Sequence, residues 1–349
     1  MGLTSKIVYK VIETGFVPDR ITKLWMKYLC YRTIKSAKLD NIEARNSVFR
    51  QIRTDLLSGA EIRKYYFTER NSIDFPLSFY DFFLGKNLSL ACGYFTTGAE
   101  DLDEAEDTAL WYASERARIR EGMNVLEIGC GAGAFSFWLA NKYPNCKITA
   151  LTDSPKILVH LRKKAENLKI NNINFISQDF KDFPNESKFD RIVCLERFDM
   201  VSSAGNWERK IKSLLNKNGL FFMTVPVHSS TAFYEDSTGF DNMPGNNVIE
   251  DMIIPSVQSL MLTRADLHLT DLWEVSGMHY KQTADKWFRK FTFNKQPILK
   301  ALEKAYGSDK ANSWYIKMRL YLLSLYEKYG YNHGQEWITA QYLYSPSSL

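Results

Sequence analysis

Three glycines, Gly129, Gly131 and Gly133, close the apolar run that starts at Val125, and helical character resumes from Ala134. Glycine there lets the backbone approach a ligand where side chains would block it, at the strand-to-helix turn that binds nucleotides in doubly wound sheets. Spacing alone suits a dinucleotide or S-adenosyl-L-methionine. Glu127, two residues before the first glycine, favours the second, because a carboxylate can hold a ligand ammonium but would repel a pyrophosphate. Asp153 lies just past a second apolar segment, where an acid commonly accepts hydrogen bonds from ribose hydroxyls. Asp179 follows a third segment and is placed to receive an adenine amino group, with Phe180 beside it and Leu195 ending a fourth. Each acid alone is equally a helix or turn cap. As a set, at successive strand ends, they describe a nucleoside site that lacks phosphates.

Alternating elements must hold that set. Strands are predicted near 123–128, 147–152, 173–177, 189–195 and 219–225, and helices near 134–143, 155–169 and 206–215. Such alternation makes a parallel sheet covered on both faces, with its ligand at the carboxyl ends of the strands. A tight turn at Lys217-Asn218-Gly219 leads into the fifth strand, and about forty irregular residues follow Pro226. A sixth strand is expected at 268–275, helices near 283–305 and 309–329, and a seventh, hairpin-like strand at 336–344. Seven strands so arranged favour an α/β, class I S-adenosylmethionine-dependent methyltransferase fold over a dehydrogenase.

Upstream, 102–118 reads as a helix with acids in its first turns and Arg116 and Arg118 near its end, as the helix dipole favours. Residues 64–100 read as an irregular lid, and 1–62 as helical. Ile21, Leu24, Trp25, Tyr28 and Leu29 share a face expected to pack inward rather than lie on a membrane, since its polar side is not densely basic. The expected division is 1–100 for N-terminal helices and lid, 101–226 for the Rossmann-like cofactor core, and 227–349 for the acceptor-binding insertion and the rest of the sheet.

Composition narrows the partners. The net charge of +5 over 349 residues is diffuse, and no Lys/Arg tract interleaves with aromatics, so no nucleic acid is expected. Weak attraction to anionic membrane surfaces stays open, as does a homodimer. The aromatic content of 14% suits an organic acceptor pocket or a well-filled core. Five cysteines (30, 92, 130, 146 and 194) form no C-x-x-C pair and no zinc spacing, which points to reduced thiols, a cytoplasmic setting and no metal. No apolar run is long enough to predict a transmembrane segment, and Lys6 stands where myristoylation wants Ser or Thr.

Several segments carry a family likeness: Phe82-Phe-Leu-Gly-Lys-Asn-Leu88, Cys92-Gly-Tyr-Phe95, Leu102-Asp-Glu-Ala-Glu-Asp-Thr108, the glycine loop, Gly277-Met-His-Tyr280 and Tyr329-Gly-Tyr-Asn-His-Gly-Gln-Glu-Trp337. Through them the chain resembles the plant coclaurine N-methyltransferases and their pavine and tetrahydroprotoberberine relatives. It is more distantly similar to cyclopropane-fatty-acyl-phospholipid synthases. The resemblance spans about residues 60–344. It implies one-carbon transfer from S-adenosylmethionine to the nitrogen of an aromatic alkaloid, a small-molecule partner. Such an in-line displacement needs alignment and an amine without its proton. Glu196, at a strand end facing the expected cleft, Asp199, and His228, which matches a histidine of the family, are the candidate catalytic residues; Tyr331 and Trp337 read equally as an aromatic wall for a planar cation or as core, with Phe79, Tyr94 and Phe198 as further acceptor-site candidates.

The chain departs from that pattern at the chemistry. The family's Glu-x-Phe-Glu-His reads Glu196-Arg-Phe-Asp-Met200 here, so Asp199 is one methylene shorter and Met200 cannot move a proton. The usual Tyr-Ser of the lid is Leu90-Ala91, and a Gly-Gly before the sixth strand is Asp251-Met252. Three readings follow: methylation with Asp199 and Glu196 as ammonium binders; a cyclisation or rearrangement on the same fold; or a silent binding partner. Lipid cyclopropanation would need a base, supplied in those relatives by a bicarbonate held by Glu, His, Cys and Tyr, and Met200 argues against it. His279 and Cys130 read as structural, and Ala91 beside Cys92 argues against a catalytic part for that thiol.

Overall fold

Alternate side chains in the central strands feed two cores. In the computed structural model, which describes residues 8, 11–37, 47, 50, 51, 54, 77–184, 186–196, 204–235, 252–261 and 266–347, Leu126, Ile192 and Phe221 pack on one face of the sheet. Val125, Val193 and Phe222 pack on the other. Both sets are buried, as a parallel sheet covered on both faces requires.

The strands are β1 Asn124–Ile128, β2 Lys147–Thr152, β3 Ile173–Ser177, β4 Phe189–Leu195, β5 Leu215–His228, β8 Leu267–Val275 and β9 Trp337–Pro346, ordered β3-β2-β1-β4-β5-β9-β8. The first five are mutually parallel, and β9 runs antiparallel to both neighbours. Strand order reverses between β1 and β4, the switch point outside which such sheets open a crevice. A short antiparallel pair, β6 Phe233–Glu235 with β7 Met252–Ile254, stands apart. The helices are α1 Asp19–Ala37, α2 Leu77–Tyr80, α3 Leu102–Arg116, α4 Ala134–Lys142, α5 Pro155–Asn167, α6 Ala204–Leu214, α7 Val257–Met261, α8 Gly277–Phe293, α9 Lys295–Tyr306 and α10 Ser308–Gly330.

Several expectations need correction. β9 lies between β5 and β8, but three helices connect β8 to it, so it is no hairpin. The expected turn at 217–219 is absorbed into β5 as a register irregularity opposite Asp190. β5 then runs through Pro226, where only β9 pairs with it; its pairing with β4 ends at Leu195 and Thr224, so the missing proline N–H is tolerated. The helix expected over 283–305 is two helices broken at Asn294, whose side-chain amide donates to the Phe82 carbonyl (2.8 Å). α8 starts earlier than expected because the Ser276 hydroxyl accepts the Met278 N–H (3.2 Å). The predicted lid contains the short helix α2.

The largest difference is α1. Its buried stripe is Thr22, Met26, Leu29, Cys30 and Ile34, while Ile21, Leu24 and Tyr28 face solvent. Both sides of the helix are apolar, so periodicity could not choose between them.

Candidate active site

The glycine loop sits at the carboxyl end of β1. Gly129, Gly131 and Gly133 all have positive φ (75°, 50° and 84°), and the Cys130 N–H donates to the Leu151 carbonyl (2.8 Å). Their surroundings differ. A Cβ at Gly133 would press against Leu161 and Phe137, whereas one at Gly131 would meet nothing within 4 Å. Gly133 is therefore a packing glycine, and the open side of the loop lies over Gly131, a cradle that a ligand can fill. Glu127, next to the loop, is buried, accepts the Ser136 hydroxyl, and is pushed up by burial to about 7. Helix α5 is capped by Ser154, which accepts the Ile157 N–H (3.4 Å), so Asp153 is not needed as its cap. Asp179 does cap a short turn, accepting the Lys181 N–H (2.8 Å). Phe180 is buried in the core with β1 and β4, and Leu195 is half-buried at the β4 tip.

Beyond β4 the chain turns sharply. Glu196 has φ 54°, in the left-handed region, and its amide donates to the Thr224 carbonyl (2.8 Å). This aims the carboxylate at the lid. Its Oε1 accepts the Cys92 N–H (3.0 Å) and its Oε2 the Tyr280 hydroxyl (3.2 Å). Burial pushes the carboxyl up to about 7, against those two hydrogen bonds, which favour the charged form. The Cys92 thiol is buried and pushed well up, so it stays protonated.

The lid is tied down through its own amides. Glu106 of α3 accepts the Gly85 and Asn87 N–H groups (3.0 and 3.1 Å), and Asp103 accepts Lys86 N–H (2.8 Å). Further along, the Gly93 N–H donates to Thr283 Oγ1 (3.0 Å), and the Tyr94 N–H to the Ala105 carbonyl (2.9 Å). The Phe95 N–H donates to His279 Nδ1 (3.1 Å), which leaves the imidazole proton on Nε2. His279 thus holds the backbone of the segment that carries Cys92 and Tyr94. Leu90 is half exposed, and the hydroxyl nearest in sequence is Ser89, which accepts the Ala91 N–H (3.2 Å).

Sequence reasoning missed a third group. Leu195, Thr224, Gln341 and Trp273 form one cross-strand row. Arg116 reaches Gln341 Oε1, and its guanidinium lies 4.9 Å from the Tyr112 ring centroid and 5.2 Å from that of Trp273. Gln341 Nε2 donates to the Tyr94 hydroxyl (2.5 Å). The buried Thr224 hydroxyl has no partner among the described residues.

His228 ends β5, fully buried. Its Nδ1 accepts the Ser230 and Thr231 N–H groups (3.3 and 3.1 Å), so Nε2 carries the proton, 3.2 Å from Glu336 Oε2. The Trp337 ring meets His228 edge-on (5.8 Å) and Tyr331 edge-on (6.0 Å). Phe79 is fully buried against Phe83 and Phe291, a packing position. Phe198, Asp199 and Met200 lie outside the described residues.

Reversed strand order, an open glycine cradle and strand-end acids define a class I S-adenosylmethionine-dependent methyltransferase. The chain belongs to the mycolic acid cyclopropane synthetase family, whose model matches residues 62–320. It is 28% identical over 278 residues to the (S)-tetrahydroprotoberberine N-methyltransferase of Eschscholzia californica, covering 79% of each chain. It is 26% identical to the (S)-coclaurine N-methyltransferase of Thalictrum flavum subsp. glaucum, covering 96% of this chain and 94% of that one. A crystal structure of coclaurine N-methyltransferase bound to N-methylheliamine and S-adenosylhomocysteine superposes with a TM-score of 0.91 at 26% identity, covering 98% and 99% of the two chains.

Proposed function

We propose that the protein transfers the methyl group of S-adenosyl-L-methionine to the nitrogen of an aromatic alkaloid amine, a small-molecule acceptor. The observation that carries this reading is Glu196, a half-buried carboxylate with near-neutral acidity fixed at the tip of β4. The named activities of the relatives, N-methylation of tetrahydroprotoberberines and coclaurine, supply the acceptor class.

The chain's residues divide the work. The loop over Gly131, with Glu127, Asp153 and Asp179, would hold the donor, and Phe180 and Leu195 would pack beside it. The bound donor supplies a methyl carbon already activated by its sulfonium. Glu196 pairs with the substrate ammonium and takes its proton, because a carboxyl near 7 is a usable base at neutral pH. Cys92 N–H and the Tyr280 hydroxyl hold that carboxylate in one orientation. Asp199, three residues further along the sequence, is the second candidate ammonium binder. Tyr331 offers an aromatic face to a cationic acceptor, with Trp337 buried edge-on against it and Tyr94 and Phe79 as buried packing behind the site; Phe198 stays a candidate on sequence alone. His228, with Nδ1 occupied by the Ser230 and Thr231 N–H groups and Nε2 3.2 Å from Glu336, orients the end of β5 beside the acceptor rather than acting as a base at Nδ1. On this reading 101–226 forms the donor half, 227–349 the acceptor half, and 1–100 the N-terminal helices followed by the lid. Five buried free cysteines support a cytoplasmic setting.

Glu196→Gln tests the assignment. Calorimetry is expected to show unchanged adenosylhomocysteine affinity, with labelled-methyl transfer reduced by roughly 10²–10⁴-fold. Unchanged transfer would remove Glu196 from the chemistry.

A further inference from the structure

We propose that α1 is a docking surface for an anionic lipid bilayer. The helix carries two apolar stripes, and only one is packed. The other, Ile21, Leu24, Tyr28 and Tyr31, stays 56%, 61%, 48% and 49% exposed. Phe16, in the turn leading into the helix, is 91% exposed. Single exposed apolar residues are ordinary, but a stripe at helical spacing marks a contact surface.

Charge beside the stripe selects the partner. A cleft of about 340 Å³ opens between α1, α8 and α10, lined by Arg20, Lys23, Lys27 and Lys281 with Glu327 as its one carboxylate. The Lys23 and Lys281 ammonium groups lie 4.2 and 4.9 Å from the centroid of the same Tyr326 ring. Lys27 stands 3.8 Å from Glu327. Four cations in one cleft focus a positive field that one acid does not cancel. Leu24 belongs to both features, so the apolar stripe and the cationic cleft are contiguous.

An anionic bilayer satisfies both at once: acyl chains take Phe16, Leu24 and Tyr28, and lipid phosphates take the lysines. A second copy of the chain fits less well. A twofold contact through this face would bring two copies of the same net-positive cleft side together. No helix among the described residues is long and apolar enough to cross a membrane, so the contact is one of surface adsorption.

Co-sedimentation of the full chain with sucrose-loaded vesicles tests this. The protein should pellet with vesicles of phosphatidylcholine plus phosphatidylserine, should not pellet with phosphatidylcholine alone, and should be released by high salt. Arg20→Ala with Lys23→Ala should lower partitioning on the order of 30-fold, given about 1 kcal/mol per basic side chain at the surface. Leu24→Ser with Tyr28→Ser should lower it too without changing the charge. None of the four side chains belongs to the site built around Glu196, so methyl transfer and thermal midpoint should hold and report an intact fold. Equal binding to neutral vesicles, no binding to anionic ones, or indifference to both double variants would overturn the proposal. So would a dimer, seen by sedimentation velocity, that Leu24→Ser with Tyr28→Ser dissolves.

Discussion

Glu196 is held in a backbone conformation that costs a residue with a Cβ roughly 1–2 kcal/mol. The cost is offset by what the turn achieves: both carboxylate oxygens are engaged, one by the lid and one by α8. Two outcomes follow. The rate of methyl transfer should rise through a midpoint near 7 as Glu196 deprotonates, and in Glu196→Gln that limb should move to the amine's own pKa. In Tyr280→Phe the carboxylate loses a donor that favours its charged form, so the limb should shift to higher pH. A pH–rate profile unchanged in both variants would contradict the assignment. At this scale the sequence pointed to Glu196 through its place after a strand, but not to Tyr280, 84 residues away, or to the Arg116–Gln341 contact across 225 residues. Spacing along a chain carries no record of such pairings. Arg116 looked like an ordinary answer to the dipole of its helix, and only the folded sheet sets it against Trp273 and Gln341.

Among the elements, the glycine loop and the lid answer different needs. Gly131→Ala adds a methyl to open space at φ 50°, so stability should fall by only about 1 kcal/mol while adenosylhomocysteine binding weakens. Gly133→Ala pushes against Leu161 and Phe137 at φ 84°, so its thermal midpoint should drop further, as overpacking costs about 1–3 kcal/mol more. Calorimetry and thermal melts on the pair separate cradle from core; equal effects on binding would deny Gly131 its special place. The acids of 103–107 read from sequence as a helix start, and Asp101 with Glu104 does make the capping box. Their neighbours Asp103 and Glu106 face the other way and hold the turn at 85–87, which helix-start chemistry could not foretell. The five parallel strands were legible because apolar runs alternate there with helical segments, although the turn residues at 217–219 misplaced the start of β5. The break at Asn294 was not, because it depends on a distant carbonyl, that of Phe82.

Taken as a whole molecule, the chain keeps several carboxyls wholly or partly out of water. Glu106, Glu127 and Glu196 are each pushed by burial from the ordinary 4.5 to about 7. The folded chain therefore holds protons that the unfolded chain releases between those values. This stabilisation is complete below the ordinary carboxylate range and is lost as pH rises through 7. Scanning calorimetry of the ligand-free protein should show a lower midpoint at about pH 8 than at about pH 5; a midpoint that rises over that span would contradict these three environments. The central claim is methyl transfer to an amine nitrogen, and isotopically labelled S-adenosylmethionine tests it most directly, with tetrahydroisoquinoline, indole and phenylalkylamine acceptors. Label is expected on the nitrogen of at least one tetrahydroisoquinoline, with one adenosylhomocysteine formed per methyl transferred. Saturable donor binding with no label on any amine would contradict it.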